Sequence, residues 1–135
     1  IEATIDDDGK TSTKHPEIVR KGVIKPGVSK TVKSLMEYVI EKNRVLYKLP
    51  VVPRGYSIGG KTGTAEIAKP GGGYYEDRFN GTFIGFVGGA TDNYVIVVRV
   101  NEPHIDTYAG AGAAAPIFSD LVMMLINSFG LSPKT

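Results

Sequence analysis

A chain of 135 residues, 41% hydrophobic and 22% charged, has the length and composition of one compact domain with one core. Its formal net charge of +2 supplies no basic face to track phosphates, so nucleic acid is not an expected partner. With no cysteine, neither a disulfide framework nor a thiolate metal cluster can form.

In chain order, residues 1–10 run from a short apolar stretch into Asp6-Asp7-Asp8-Gly9, where Asp8-Gly9 signals a hairpin or exposed turn. A calcium loop does not fit, because Thr4 and His15 stand where oxygen ligands belong. Residues 18–24 are β-branched but broken by Arg20, Lys21 and Gly22, and Pro26-Gly27 is expected to close them as a turn. A helix follows, capped by Ser29 or Thr31, with Val32, Leu35, Met36, Val39 and Ile40 on its apolar face and Lys33, Glu37, Glu41 and Lys42 opposite. Pro50 and Pro53 end it.

Within residues 55–68, Thr62, Thr64 and Glu66 alternate with Gly63, Ala65 and Ile67, which predicts a strand. Pro70-Gly71-Gly72-Gly73 then makes a flexible loop ending near Tyr74 and Tyr75. Residues 82–87 and 94–100 are two further strands around a short connection, so the three form an antiparallel meander. A loop over 101–112 leads to a helix begun near Pro116, striped by Ile117, Leu121, Val122, Leu125, Ile126 and Phe129 and stopped by Gly130. The expected fold is α+β, with helices on one face of an antiparallel sheet. The longest apolar runs, 94–98 and 113–126, read as too short or too interrupted to span a bilayer. No signal peptide is visible, and a chain starting at Ile1 is expected to be a processed or excised piece of something longer.

The stretch 55–64 fits three chemistries. Gly55 to Thr62 satisfies the phosphate-cradling P-loop pattern, but a helix starting near Lys61 would carry Gly63 in its first turn and soon meet Pro70. Gly55-Tyr56-Ser57-Ile58-Gly59 matches a hydrolase nucleophile elbow, with Asp92 and His104 in the fitting order, yet no following helix or parallel sheet is readable. Lys61-Thr62-Gly63 is the triplet carried on a strand beside serine acyl-transfer sites. On a strand, the Thr62 and Thr64 hydroxyls share one side, where they can hydrogen-bond a carboxylate. Gly63 lets a substrate backbone approach closely, and Lys61 adds a positive charge. Elsewhere, His15, and His104 near Glu102 and Asp106, read as surface residues rather than metal ligands, and Met123 and Met124 as packing or partner-facing residues. Tyr74 and Tyr75 are candidates for lining a groove or for a surface loop.

Gly60-Lys61-Thr62-Gly63-Thr64-Ala65-Glu66 resembles the extended motif of class B penicillin-binding proteins. Residues 82–88, 94–103 and 110–118 are similar, in the same order, to the strands and C-terminal helix that follow it in that family, and 18–42 matches more weakly. The resemblance implies the C-terminal portion, residues 1–135, of a transpeptidase domain of the penicillin-binding-protein and serine β-lactamase-like fold. It implies a membrane-anchored, extracytoplasmic parent that cross-links peptidoglycan in growth or division and binds β-lactams. Lys61, Thr62, Gly63 and Thr64 would bind the D-Ala-D-Ala terminus, with the Thr64 backbone N–H as an oxyanion-hole donor. No cofactor or metal is implied. The family's Ser-x-x-Lys and Ser-x-Asn motifs are missing from the sequence, so the chain alone is expected to be inactive, completed by the upstream half of the same domain. A β-lactamase or D,D-carboxypeptidase is the nearest enzymatic rival. A P-loop nucleotide binder and a non-catalytic wall-peptide-binding module are the alternatives from other classes.

Overall fold

The computed structural model describes residues 3–6, 8–14, 20–105 and 110–135. Asp7, His15, residues 18–19 and Asp106, all weighed above, lie outside the described residues. A hairpin pairs β1 (Ala3–Ile5) with β2 (Thr11–Lys14). Its turn is closed by the Asp6 carboxylate, which accepts from the Lys10 N–H at 2.8 Å, with Gly9 at φ +78 as the Asp-Gly signal requires.

Helix α1 spans Pro26–Asn43. It begins earlier than the expected caps, because Pro26 occupies the first turn, where its missing N–H costs nothing. Pro26-Gly27 is therefore helical rather than a turn, and Thr31 donates back to the Gly27 carbonyl at 3.0 Å instead of capping. The sheet is a meander in the order β3 (Ser57–Ala68), β4 (Tyr74–Gly88), β5 (Asn93–Asn101), antiparallel throughout. β4 reaches back to Tyr74, pairing it with Ala68 beyond a register irregularity, so Tyr74 and Tyr75 belong to a strand. A π-helical turn (Gly110–Ala114) runs directly into helix α2 (Ala115–Asn127).

The two helices lie on opposite faces of the sheet, not on one. A Cβ on Gly59 would meet the Glu37 backbone of α1 and the Phe86 ring, whereas a Cβ on Gly85 would meet Phe118 of α2. Gly60 pairs with Gly85, so Gly59, its neighbour in β3, projects to the other side. Glycine at 59 is what lets the helix backbone rest on the strand.

The main core lies on the α2 face. Phe83 stacks at 4.5 Å on Phe118 and meets Tyr47 edge-on at 5.5 Å, joined by Val87, Val98, Ala115 and Val122. Ala115, Phe118, Ser119 and Val122 are the buried positions of α2, whereas Ile117, Leu121 and Phe129 of the expected stripe are exposed by 43%, 37% and 71%. Most positions of the helix are apolar, so its periodicity does not fix its phase; Phe118 lies over Gly85, and Ser119 turns inward to donate to the Tyr47 carbonyl at 3.0 Å. Together the π-helical turn and α2 form an 18-residue apolar helix, Gly110–Asn127, with the length and composition needed to cross a membrane, longer than the interrupted runs suggested. Fully buried Phe118 and Val122 make it a packed helix of this fold.

The phase of α1 also differs from expectation. Ile40 is buried, but Val32 and Leu35 are exposed, while Lys33 lies over the Phe86 ring at 5.1 Å and Glu37 accepts from the Ser57 hydroxyl. The sheet offers α1 an aromatic face and a hydroxyl, so polar positions turn toward it. The C-terminal tail straps the sheet's end: Tyr56 donates to the Leu131 carbonyl at 2.6 Å, Lys134 N–H to Gly55 O at 2.8 Å, and Ala90 N–H to Ser132 O at 2.8 Å.

Candidate active site

Residues 57–68 form a continuous strand, which does not fit two of the three chemistries. A phosphate-cradling loop would require a helix from Lys61, and an elbow would require one after Ser57; β3 supplies neither. Ser57 donates to Glu37, Asp92 accepts from Thr91 in the β4–β5 turn, and His104 is exposed beyond β5.

Among the described residues β3 is an edge strand, hydrogen-bonded only to β4. Thr62 and Thr64 project on the α2 face of the sheet, Lys61 and Gly63 on the α1 face. The long Lys61 side chain folds over the open edge, placing Nζ 2.8 Å from the Thr62 carbonyl and 3.1 Å from its hydroxyl. The triplet's ammonium and first hydroxyl thus converge although their Cβ atoms point apart.

The outward Thr62 carbonyl also fixes the backbone phase. In an antiparallel ladder, alternate residues turn both backbone groups outward, and Gly63 O faces inward toward the Thr82 hydroxyl at 3.3 Å. The Thr64 N–H therefore projects from the same open edge as the Thr62 carbonyl. The Thr64 hydroxyl accepts from the Gly110 N–H at 3.4 Å, which pins the start of the π-helical turn beside the strand. A Cβ on Gly63 would lie 2.5 Å from the Thr82 hydroxyl, so a larger residue there would require the Thr82 side chain to rotate. Sequence reasoning passed over Thr82; the register of the β3–β4 hairpin is the signal that identifies it.

Along the same face, a groove of about 590 Å³ continues from Thr64 past Ala65 and Glu66 to Tyr74 and Phe79. Strand β4 and the segment after β5 are tied together at its side. Arg78 grips Glu102 with Nε–Oε2 at 2.7 Å and Nη2–Oε1 at 2.8 Å, and Asn80 accepts from the Glu102 N–H at 3.2 Å. The hydrogen bond to Glu102 holds the Arg78 pKa above its ordinary value.

The family description "Penicillin binding protein transpeptidase domain" matches residues 1–123. The chain belongs to this family. Curated relatives of this transpeptidase domain include the probable peptidoglycan D,D-transpeptidase PenA of Neisseria flavescens, 33% identical over 84% of this chain and 28% of that protein. The penicillin-binding protein PbpB of Mycolicibacterium smegmatis is 32% identical over 98% of this chain and 22% of that protein. Penicillin-binding protein 3 of Mycobacterium tuberculosis, solved in complex with ampicillin, superposes with a TM-score of 0.65 at 26% identity, covering 99% of this chain and 31% of that one. These likenesses identify the chain as part of a class B penicillin-binding-protein transpeptidase domain, and it spans about a quarter of the length of the curated relatives.

Proposed function

We propose that this chain is the C-terminal portion of a peptidoglycan D,D-transpeptidase domain and binds the terminal carboxylate of the acyl donor in its active site. The observation that carries the reading is the convergence, at one open strand edge, of the Lys61 ammonium, the Thr62 and Thr64 hydroxyls and the Thr64 N–H. A D-Ala-D-Ala stem peptide would lie along this edge, its carboxylate taking charge-assisted hydrogen bonds from Lys61 and the two threonines. Gly63 leaves the strand narrow where the peptide crosses.

The nucleophile is a serine of a Ser-x-x-Lys segment upstream. Its Oγ attacks the carbonyl of the penultimate D-alanine, and the Thr64 N–H stabilises the negative charge that develops on the carbonyl oxygen. The peptide C–N bond breaks, the terminal D-alanine leaves with a proton, and an acyl-enzyme remains. The amine of a neighbouring stem peptide then attacks the acyl carbon, forming the new amide as the ester bond to the serine breaks, and one of the amine's own protons goes to the serine oxygen. A β-lactam enters the same position, its carboxylate on Lys61, Thr62 and Thr64.

The upstream half of the domain has a surface ready for it. On the α1 face Ile84, Val95 and Val97 of the sheet are exposed, as are Val28, Val32 and Leu35 of α1. An apolar groove of about 380 Å³ runs between them. Such an area is larger than isolated surface residues explain. The reading places the protein at the extracytoplasmic face of the membrane, with wall peptide and β-lactams as its ligands and no nucleic acid.

Intact-mass analysis of the full-length protein with benzylpenicillin tests the reading. A covalent adduct is expected on an upstream serine, none on this chain alone, and Lys61→Ala slows adduct formation by about ten- to a hundred-fold, the worth of a hydrogen bond to a charged group. An adduct on Ser57, or an unchanged rate in Lys61→Ala, would overturn it.

A further inference from the structure

We propose that Glu66 is a specificity-determining residue, selecting acyl donors that carry a positive charge on the residue before the D-Ala-D-Ala pair. The inference rests on the reading of Lys61–Thr64 given above and extends it along the strand. Thr62, Thr64 and Glu66 share one face of β3, and Glu66 lines the groove of about 590 Å³ with Thr64, Ala65, Tyr74 and Phe79. Lys61 Nζ lies 3.1 Å from the Thr62 hydroxyl, which fixes the carboxylate end of the donor. The carbonyl under attack lies further along, at the Thr64 N–H. The rest of the donor therefore leaves that point toward Glu66, whose Cα follows that of Thr64 by about 6.6 Å of strand. In an extended donor, the side chain of the residue before the penultimate D-alanine stands a comparable distance from that carbonyl, so it comes alongside Glu66.

The register of the hairpin leaves the Glu66 charge uncompensated. Glu66 pairs with Phe79 and Ala68 with Tyr74, so β4 takes five steps where β3 takes two. This irregularity brings Tyr74 round to join Phe79 in the groove, while Tyr75 keeps company with Arg78, whose guanidinium lies 4.3 Å from its ring centre. Arg78 adjoins Phe79 in the strand and so projects to the opposite face, where Glu102 takes it at 2.7 and 2.8 Å. Lys69 Nζ is 5.5 Å from the centre of the same Tyr75 ring. Both neighbouring cations thus have partners away from the groove, and among the described residues no lysine or arginine forms an ion pair with Glu66.

The strand therefore offers a cation at its Thr62 end, hydroxyls in the middle and an anion at Glu66. That pattern complements a donor with a carboxylate at one end and an ammonium further back. Tyr74 and Phe79 add aromatic rings beside the carboxylate, and aromatic faces also favour a cation. A second carboxylate carried at the same place in the donor would meet Glu66 as a like charge.

The test uses the full-length protein and three penicillins that differ only at the side-chain carbon next to the amide: α-aminobenzylpenicillin, benzylpenicillin and α-carboxybenzylpenicillin. Second-order acylation rates are measured at about pH 6, where the amine is protonated and the carboxylates are ionised, and each probe is compared with itself in wild type. Glu66→Gln is expected to slow the amino compound about three-fold, quicken the carboxy compound about three-fold and leave benzylpenicillin unchanged, as befits an exposed charge. Glu66→Lys should shift both charged probes further in the same directions, and about 1 M salt should erase the differences. Glu41→Gln, on α1 across the sheet, serves as a control and should leave all three rates alone. An unchanged ratio of amino to carboxy compound in Glu66→Gln, with all three probes slowed by Lys61→Ala, would overturn the charge selection and leave the reading of the strand intact. Full rates in Lys61→Ala would overturn that reading instead. Equal slowing of all three probes by Glu66→Gln would make the residue merely structural, and an equal ratio shift in Glu41→Gln would reduce the effect to overall charge; either refutes the proposal.

Discussion

Replacing Phe118 by alanine, beside the same replacement at Ile117, reports directly on which face of α2 meets the sheet. Phe118 is fully buried, with its ring 4.5 Å from Phe83 and lying over Gly85, where no side chain could move in to refill the space. A buried Phe→Ala change costs about 3–5 kcal/mol, and losing the paired ring places this site in the upper half of that range. Ile117 is 43% exposed, so its truncation removes about half a side chain's contacts and should cost about 1 kcal/mol. Against a total stability of about 5–15 kcal/mol, Phe118→Ala alone takes about a quarter or more. Urea unfolding of the chain, followed by circular dichroism, measures both values, provided the slope against denaturant is unchanged. Equal losses at the two positions would mean that α2 is rotated relative to the arrangement described, and the account of the core would fail.

Three further outcomes follow from the geometry. Gly59→Val drives a branched side chain into the α1 backbone and should cost at least about 2 kcal/mol, with amide exchange accelerating along 26–43 before the β4–β5 ladder. Tyr56→Phe removes the hydrogen bond to Leu131 and should lower stability by about 1 kcal/mol in the same unfolding assay. Thr64→Val, which keeps the shape and removes the hydroxyl, should slow acylation of the full-length protein by penicillin about ten-fold, whereas Thr64→Ser should retain most of the rate.

The strands were legible because their information is local. Alternation in 57–68 and the apolar runs of β4 and β5 give both the meander and the side-sharing of Thr62 with Thr64. The phases of the helices were not legible, for two different reasons. In α1 the sequence presents an apolar stripe, yet Lys33 and Glu37 turn to the sheet because Phe86 and Ser57, distant in sequence, supply their partners. In α2 nearly every position is apolar, so periodicity selects no face; the space over Gly85 that takes Phe118 and the Tyr47 carbonyl that takes Ser119 come from elsewhere in the chain. The start of β4 was hidden by Glu76, Asp77 and Arg78, whose charges resemble a loop although the backbone around them continues the strand. At the site, the triplet was readable from its letters. The bond from Gly110 to Thr64 and the closeness of the Thr82 hydroxyl to Gly63 depend on residues brought together only by the tertiary fold.

The strapped C-terminus has a practical side. Residues after 123 fall outside the family match, and a designer trimming the chain to that match would discard Leu131, Ser132 and Lys134 as dispensable. Those residues fasten Gly55 and Tyr56, immediately ahead of the strand that carries Lys61, and Ala90 in the turn after β4. A shortened version would keep Lys61, Thr62 and Thr64 and still lose the anchor that sets where β3 begins.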